Sequence, residues 1–273
     1  MIFWFLVWIS LGWSVSLESE AGQRLDRPPV AVIASDDLQE LSGIVCSAHP
    51  QKYWGINDSG NGTELFGFSD EGEILDKVPL PDAVNEDWEA ITKDHTGHLY
   101  IGDFGDNKGV RKEYAIYQVQ EPTFPQTSGP HIQKYRFRYA GNRAFNCESI
   151  FILHGKFYLI TKGKKETDSP LLFCLDSLQK QKVSIARKVG TLSLTGRITD
   201  ASFSPEFNHL IVLSKNNLHI LLVQKEADLL NPPVRTYPIK LGKSEGVCFD
   251  RDSVVVTTEK GGIWKYSVHE LIP

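Results

Sequence analysis

The sequence lacks the motifs that several common classes of enzyme require. Its 273 residues contain no HExxH, Walker, GxGxxG or GxSxG pattern, which argues against zinc-protease, P-loop, dinucleotide-binding and α/β-hydrolase sites. The eight histidines are scattered along the chain. A basic stripe is also missing, and the net charge is −5. We therefore expect no nucleic-acid partner.

Cysteine is scarce, and its spacing is not that of a metal site. The four cysteines stand at positions 46, 147, 174 and 248 and include no CxxC pair. Three of them fall on apolar segments, where a free cysteine usually packs as a small buried hydrophobe. In an oxidising compartment, a disulfide between Cys147 and Cys174 is the pairing to consider. Free thiols are the alternative.

Charge is absent from the first seventeen residues, MIFWFLVWISLGWSVSL. This run is short for a membrane span, and polar residues follow it at once. Ser14-Val15-Ser16 supplies the small-x-small pattern that signal peptidase prefers. The segment is typical of a cleaved export signal at residues 1–16, with an uncleaved anchor as the alternative. We therefore expect a secreted or periplasmic protein with a single domain at residues 24–273.

Patterns for long amphipathic helices are missing after residue 20. Apolar residues instead alternate with polar ones in strand-length runs, separated by Gly, Asn, Asp or Pro. This periodicity predicts an all-β chain.

An internal repeat underlies these strands, at spacings of roughly 45 to 59 residues. Each copy has an oxygen-bearing side chain, then a small residue, then a mostly apolar strand. The five copies are LSGIV at 41–45, WEAIT at 88–92, CESIF at 147–151, TDASF at 199–203 and SEGVC at 244–248.

Further strands follow each copy, so that the repeating unit has four strands. Four-stranded units at this spacing predict a β-propeller, here with five blades. The last repeat stops before its fourth strand, and VAVIAS at 30–35 is left over at the N-terminus. Such a strand would complete the last blade and protect the open edges. Six blades is the alternative.

The first strand of each blade lines the channel of a propeller, so the aligned side chains should converge. Carboxylates about 5 Å apart repel one another by roughly 3 kcal/mol per pair at an effective dielectric near 20. A cation would relieve this repulsion, and oxygen ligands without His or Cys favour Ca²⁺. The alternative is that these acids cap strand starts and face channel water. The predicted metal ligands are Ser42, Glu89, Glu148, Asp200 and Glu245.

The ends of the second strands should form a further tier at one mouth of the channel. The second strands end in acidic residues in the first two repeats and in lysines in the other three. This division suits an anion that lysine binds and that a metal ion bridges. Turn chemistry is the alternative explanation. We interpret Asp58 and Asp103 as aligned, water-positioning catalytic residues. The predicted substrate-binding residues are Asn57, Arg111, Lys162, Lys215 and Lys260.

Several of these motifs resemble a family of exported bacterial β-propellers. The family's hallmarks are an NDSG loop and a GD(I/F)GDN loop, and the resemblance spans roughly residues 38 to 265. It implies the propeller fold and export, and it implies no particular activity. The motifs are WGINDSGNGTELFGF, NEDWEAI, LYIGDFGDN followed by Arg111, EP at 121–122, ESI with LITK, and SEGVCF.

A fainter similarity is to the calcium-activated nucleotidases (apyrases), five-bladed propellers that hold Ca²⁺ in the channel through Ser and Glu side chains. LSGIV is similar to their Ser-bearing strand, and DWEAI, CESIF, ITDASFSP and KSEGVCF resemble their later strands. The similarity implies channel Ca²⁺ and places Lys162 and Lys215 near a phosphate-binding Arg and Lys. Two features depart from it: an NDSG loop replaces an Asp-Asp-Arg-Thr-Gly loop, and Asp200 replaces a serine ligand.

Three functions are consistent with these patterns. The first is Ca²⁺-dependent hydrolysis of phosphate esters or anhydrides, with a small anionic ligand as partner. The second is a non-catalytic exported binding or scaffold module with a structural metal. The third, hydrolysis of a sugar-acid lactone or ester, rests on fold analogy alone. In each case we expect a monomer.

Overall fold

The computed structural model describes residues 20–21, 24–126 and 129–272. The predicted export signal at residues 1–16 lies outside them. Within the described residues, no helix is long and apolar enough to cross a membrane. This part of the chain is almost entirely β-structure, as the alternating pattern predicts.

Two short strands precede the main body, β1 at Glu20–Ala21 and β2 at Ala31–Val32. The later strands fall into five runs, which we call strand groups 1 to 5. Group 1 comprises β3 at Leu41–Cys46, β4 at Lys52–Asn57, β5 at Glu64–Ser69 and β6 at Ile74–Pro79. Group 2 comprises β7 at Trp88–Lys93, β8 at His98–Asp103, β9 at Tyr114–Gln120 and β10 at Ile132–Tyr139.

The remaining groups continue the same order. Group 3 comprises β11 at Cys147–Leu153, β12 at Lys156–Thr161, β13 at Leu171–Leu175 and β14 at Val183–Thr191. Group 4 comprises β15 at Ile198–Ser204, β16 at His209–Ser214, β17 at Asn217–Leu222 and β18 at Val234–Pro238. Group 5 comprises β19 at Ser244–Asp250, β20 at Ser253–Thr258 and β21 at Gly262–Ser267. The helical elements are 3₁₀ turns at Ala140–Asn142 and Glu226–Leu229 and a single-turn α1 at Val268–Leu271.

Within each group, consecutive strands pair antiparallel. Group 5 gains β2 at its outer edge, where Ala31 pairs with Ile263, so an N-terminal strand from the expected segment completes it. Group 4 gains β1, which runs parallel to β18. Groups 2 and 3 depart from the predicted separate blades, because β10 and β14 pair in parallel and join them into one eight-stranded sheet. These are long outer strands, and their exposed edges meet.

The first strands of the five groups contact one another in a closed ring, in the order β3, β7, β11, β15, β19 and back to β3. Antiparallel sheets arranged radially around such a ring form a β-propeller. The apolar core is correspondingly divided, because each buried cluster takes its residues from two neighbouring groups. Trp54 and Trp88 join groups 1 and 2, for example, and Leu213 and Val247 join groups 4 and 5.

A disulfide between Cys46 and Cys248 links β3 to β19, across the seam between the first and last groups. Cys147 and Cys174 are free and buried, so the predicted pairing of these two cysteines is wrong. They lie on β11 and β13, which are separated by β12. Strands two apart in a sheet are about 9–10 Å apart, beyond the reach of a disulfide. The Cys147 thiol instead accepts a hydrogen bond from the Tyr139 hydroxyl at 2.9 Å.

Candidate functional site in the central cavity

One backbone hydrogen bond recurs in all five groups at the same end of the ring. The carbonyl of the residue just before each first strand accepts the N–H of a residue just after the second strand, at 2.9–3.1 Å. This bond fixes the same two backbone positions in each group at this end of the ring. The acceptor and donor pairs are Glu40 and Asp58, Asp87 and Gly105, Asn146 and Lys162, Arg197 and Lys215, and Lys243 and Glu259.

A second recurring feature is a β-bulge at the second residue of every first strand. The pairing between the first and second strands skips one residue in each group. A bulge re-aims the side chain of the extra residue, and here all five bulged side chains line one cavity. They are Ser42, Glu89, Glu148, Thr199 and Glu245.

The predicted alignment of Asp200 with these residues is therefore one position out of register. Thr199 occupies the bulge, and Asp200 points away from the cavity into the protein. It is fully buried, and its carboxylate accepts the N–H groups of Ala201 and Val247, both at 2.8 Å. Burial raises the pKa of Asp200 well above its usual range. The side chain thus joins β15 to β19 and has no place among the cavity acids.

The cavity has a volume of about 180 Å³, and its charges are unevenly distributed. Groups 1 and 2 contribute acids, group 4 contributes cations, and groups 3 and 5 contribute both. We call these the acidic side and the basic side. The acidic side comprises the lining residues Glu40, Asp58 and Glu89 together with Asp87, which clusters with Asp58 and Glu89. The basic side comprises Lys162, Arg197 and Lys215.

Three carboxylates of the acidic side form a compact cluster. One oxygen each from Asp58, Asp87 and Glu89 lies within 4.8 Å of the others. Burial, followed by the negative charges of Glu148 and Asp58, raises the pKa of Glu89 well above its usual range. Burial also raises the pKa of Asp87. A Cβ at position 105 would overlap the carboxylate oxygens of both Asp87 and Glu89, so these two side chains occupy the space that the glycine leaves free.

The basic side is only partly neutralised by the protein itself. Lys162 Nζ lies 2.7 Å from Glu148 Oε2, and Asn146 donates to the other oxygen of Glu148 at 2.9 Å. Burial alone would lower the pKa of Lys162, but the charges of Glu148 and Glu89 outweigh it and raise that pKa. Lys243 of group 5 pairs with Glu259 at 2.8 Å. Arg197 and Lys215 make no ion pair within the described part of the chain.

Glu245 lies between the two sides and has an unusual acidity. Burial, followed by the negative charge of Glu148, raises the pKa of Glu245 to about 7. Its carboxyl group therefore keeps its proton to a higher pH than an exposed glutamate does.

Other residues predicted at the mouth lie elsewhere. Asn57 and Asp103 are equivalent to each other, and each accepts the N–H of the residue just before its group's first strand, at 3.3 Å for Asn57 and 3.0 Å for Asp103. Asp58 is thus one residue out of register with Asp103. Arg111 donates to Asp103 and to Glu86, both at 3.1 Å. None of Asn57, Asp103 and Arg111 lines the cavity.

Lys260 is exposed in the turn after β20 and also lies outside the cavity lining. Of the predicted site residues, the structure brings seven to the cavity, and these are Ser42, Asp58, Glu89, Glu148, Lys162, Lys215 and Glu245.

Sequence reasoning missed the residues that immediately precede the first strands. These positions read Glu40, Asp87, Asn146, Arg197 and Lys243, which is the same change from acid to base around the ring. The column stands directly before each strand start, so aligning the strand starts themselves would have found it. Thr199 was missed because Asp200 beside it offered a better match to the acids.

Comparison with known proteins agrees with the fold. No protein-family model and no curated protein matches the chain. Among solved structures, a candidate gluconolactonase matches with a TM-score of 0.50 and 12% sequence identity, covering 85% of this chain and 90% of that one. A glucose dehydrogenase matches with a TM-score of 0.49 and 8% identity, covering 86% of this chain and 97% of that one. At 12% identity the match to the candidate gluconolactonase shows the fold alone, a β-propeller, and leaves the two family resemblances as predictions.

Proposed function

We propose that this protein is an extracytoplasmic five-bladed β-propeller that binds Ca²⁺ on the acidic side of its cavity and a small anionic ligand against the basic side. The observation that carries the proposal is the division of one cavity into clustered carboxylates and incompletely paired cations. Groups 2 and 3 count as two blades in this proposal, because each has its own inner strand in the ring and the pairing of β10 with β14 is confined to the outer edge.

The donor set of the acidic side fits a divalent cation. Asp58, Asp87 and Glu89 offer only oxygen, the ligand type that Ca²⁺ prefers. Burial, followed by the negative charges of Glu148 and Asp58, raises the pKa of Glu89, and a bound cation would offset this electrostatic cost. Of the other predicted ligands, Ser42 donates to the Trp88 carbonyl at 3.0 Å and Glu148 pairs with Lys162. We therefore assign the metal to the Asp58 cluster rather than to the whole ring.

Hydrolysis of a phosphate ester or anhydride is the reaction best suited to this arrangement. A bound Ca²⁺ would supply positive charge and polarise a phosphoryl oxygen. Lys162 and Lys215 would hold the charge of the phosphoryl group. Glu245, with its pKa near 7, would accept the proton of the attacking water, because an effective general base has a pKa close to the working pH.

Export is part of the same proposal. The uncharged first seventeen residues are typical of an export signal, and the Cys46–Cys248 disulfide is typical of an oxidising compartment. A secreted or periplasmic location would also supply Ca²⁺ at high concentration to the cavity.

Phosphate release tests this function. Purified protein is stripped with EGTA, reloaded with CaCl₂ and assayed against a panel of nucleotides and sugar phosphates. We expect release only after reloading, and little release from Asp87→Asn. Asp82→Asn, an exposed carboxylate outside the cavity, is the control and should behave as wild type. Calcium-independent release, or none from any compound, would contradict the hydrolase.

A second function is a non-catalytic binding module in which the metal is structural. It is favoured by the position of the acidic cluster, since Asp58 belongs to group 1 whereas Asp87 and Glu89 belong to group 2. A cation there would join two neighbouring groups. This alternative predicts that EGTA lowers the melting temperature strongly and that Ca²⁺ restores it, without turnover of any compound.

A further inference from the structure

The wall of the cavity formed by group 4 contains two buried polar atoms without partners. Thr199 has only 4% of its surface exposed, and its Oγ1 has no hydrogen-bond partner among the described residues. The Nε of Arg197, two residues earlier, is likewise buried and without a partner in that part of the chain. Both residues line the central cavity.

Such atoms are costly unless a ligand uses them. A buried hydroxyl without a partner destabilises the folded protein, whereas valine has the same shape and carries no such cost. Thr199 stands at the bulge of β15, the position at which every group directs a side chain into the cavity. The hydroxyl is therefore placed where a bound molecule, rather than the protein, would supply its partner.

The charges of this wall are also uncompensated. Lys162 and Lys243 each have a carboxylate partner, but neither Arg197 nor Lys215 forms an ion pair with any residue that the structure describes. Arg197 and Lys215 are held side by side, because the Lys215 N–H donates to the Arg197 carbonyl at 3.1 Å. Two adjacent positive charges without partners are best balanced by a ligand that carries two negative charges.

We propose that Arg197, Thr199 and Lys215 form a subsite for a tetrahedral dianion, the phosphoryl group of a phosphate monoester or inorganic phosphate. Arginine is suited to two parallel hydrogen bonds with such a group, the threonine hydroxyl donates a further one, and lysine adds charge. The subsite rests on the proposed function in that it names the anion of the same cavity. It needs no metal, so it can be tested separately.

Titration of inorganic phosphate into the full-length protein, followed by calorimetry in EGTA, is the test. Wild type should bind phosphate, and Thr199→Val should bind it about tenfold more weakly or worse, because a hydrogen bond to a charged group is lost. Thr199→Ser keeps the hydroxyl and should retain most of the affinity. Arg197→Gln should weaken binding by roughly 10- to 100-fold. Sulfate should compete with phosphate, and acetate should not.

Two variants provide matched controls. Thr257 also has a buried hydroxyl without a partner in the described chain, but it does not line the cavity, so Thr257→Val should bind phosphate as wild type does. Arg251→Gln, which removes an exposed arginine from the turn before β20, is the control for Arg197→Gln and should also bind phosphate as wild type does. Thr199→Val should melt at the wild-type temperature or above it, because it removes an unsatisfied buried hydroxyl. A merely structural threonine would instead lower the melting temperature.

The outcomes separate this subsite from the metal site. Phosphate binding in EGTA that is lost in Thr199→Val supports the subsite even if Ca²⁺ never binds. Phosphate binding that requires Ca²⁺ and is indifferent to Thr199→Val and Arg197→Gln overturns the subsite and leaves the metal proposal standing. An absence of phosphate binding in both conditions, or acetate binding as strong as that of phosphate, also overturns it.

Discussion

The acidic and basic sides of the cavity are built on the same backbone but carry opposite charges. In group 1 the recurring hydrogen bond joins Glu40 to Asp58, and in group 4 it joins Arg197 to Lys215. The bulge that directs Glu89 into the cavity in group 2 directs Thr199 into it in group 4. The backbone frame, meaning the recurring hydrogen bond and the bulge, is thus the same on both sides. The side chains at these positions determine what each side can bind.

The two sides also differ in how far the protein's own cations pair with the buried carboxylates. The basic side neutralises Glu148 through Lys162, whereas Asp58, Asp87 and Glu89 form no ion pair with any residue that the structure describes. The acidic side should therefore respond to metal, and the basic side should respond to anions.

The largest effect is expected from Glu89→Gln. Removing one of three clustered carboxylates should weaken Ca²⁺ binding roughly a thousandfold, more than the 10- to 100-fold typical of an outer-shell partner. The metal-free variant should be at least as stable as wild type, because the burial and the neighbouring negative charges that raise the pKa of Glu89 no longer act on a carboxyl group. Calcium titration by calorimetry, with melting curves in EGTA, measures both. Retained Ca²⁺ affinity would place the metal elsewhere.

Removal of the seam disulfide should have the next largest effect. Cys46→Ala with Cys248→Ala should lower the free energy of unfolding by about 2–4 kcal/mol, because the link between the first and last groups is lost. Urea denaturation measures this loss. Binding of Ca²⁺ by the folded variant should be unchanged, since neither cysteine lines the cavity. Reducing agent should destabilise wild type and leave the variant unaffected.

A pH effect of similar or smaller size should arise from Glu245, between the two sides. Its pKa is about 7 in the folded protein, against about 4.3 when unfolded. Between these values the folded protein binds the extra proton, so the stability of the metal-free protein should fall as the pH rises from about 4.5 to 7, by on the order of 3 kcal/mol.

Glu245→Gln should reduce this pH dependence and leave the part that comes from Glu89 and Asp87, whose pKa values are also raised. The measurement is urea denaturation in EGTA at pH 5 and pH 8. Glu73→Gln, which changes an exposed carboxylate outside the cavity, is the control. An unchanged pH dependence in Glu245→Gln would show that Glu245 is already ionised well below neutral pH.

The smallest effect is expected from Gly105→Ala, which alters the frame of the acidic side. The added methyl group would overlap the carboxylates of Asp87 and Glu89, and it should cost about 1–3 kcal/mol of stability. Calcium affinity should fall as well, because the cluster is forced open. Gly129→Ala, where a Cβ would meet nothing within 4 Å, is the matched control. Equal melting temperatures for the two variants would argue against a tightly packed cluster.

Much of the fold could be predicted from the sequence because it depends on periodicity. The alternation of apolar residues indicates strands, and the repeat indicates groups of them, including the N-terminal strand beside β21. The pairing of β10 with β14 could not be read in the same way. It depends on the contact between the outer edges of two sheets, and such a contact does not change the alternation of apolar and polar residues in either strand.

The site was predictable in composition but not in register. A bulge adds one residue to each first strand, so an alignment that maximises matching acids chose Asp200 over Thr199. A similar one-residue shift made Asp103 look equivalent to Asp58, although it is equivalent to Asn57. The disulfide was missed because Cys46 lies in the first copy of the repeat and Cys248 in the last copy, and these two copies become neighbours only when the ring closes.

The most direct test is a crystal structure of the protein grown with Ca²⁺ and phosphate, with an anomalous difference map recorded at long wavelength. Our account predicts a Ca²⁺ peak about 2.3–2.6 Å from oxygens of Asp58, Asp87 and Glu89. It also predicts a phosphate within hydrogen-bond distance of Thr199 Oγ1, on the opposite side of the same cavity. A cavity that holds only water under these conditions would contradict it.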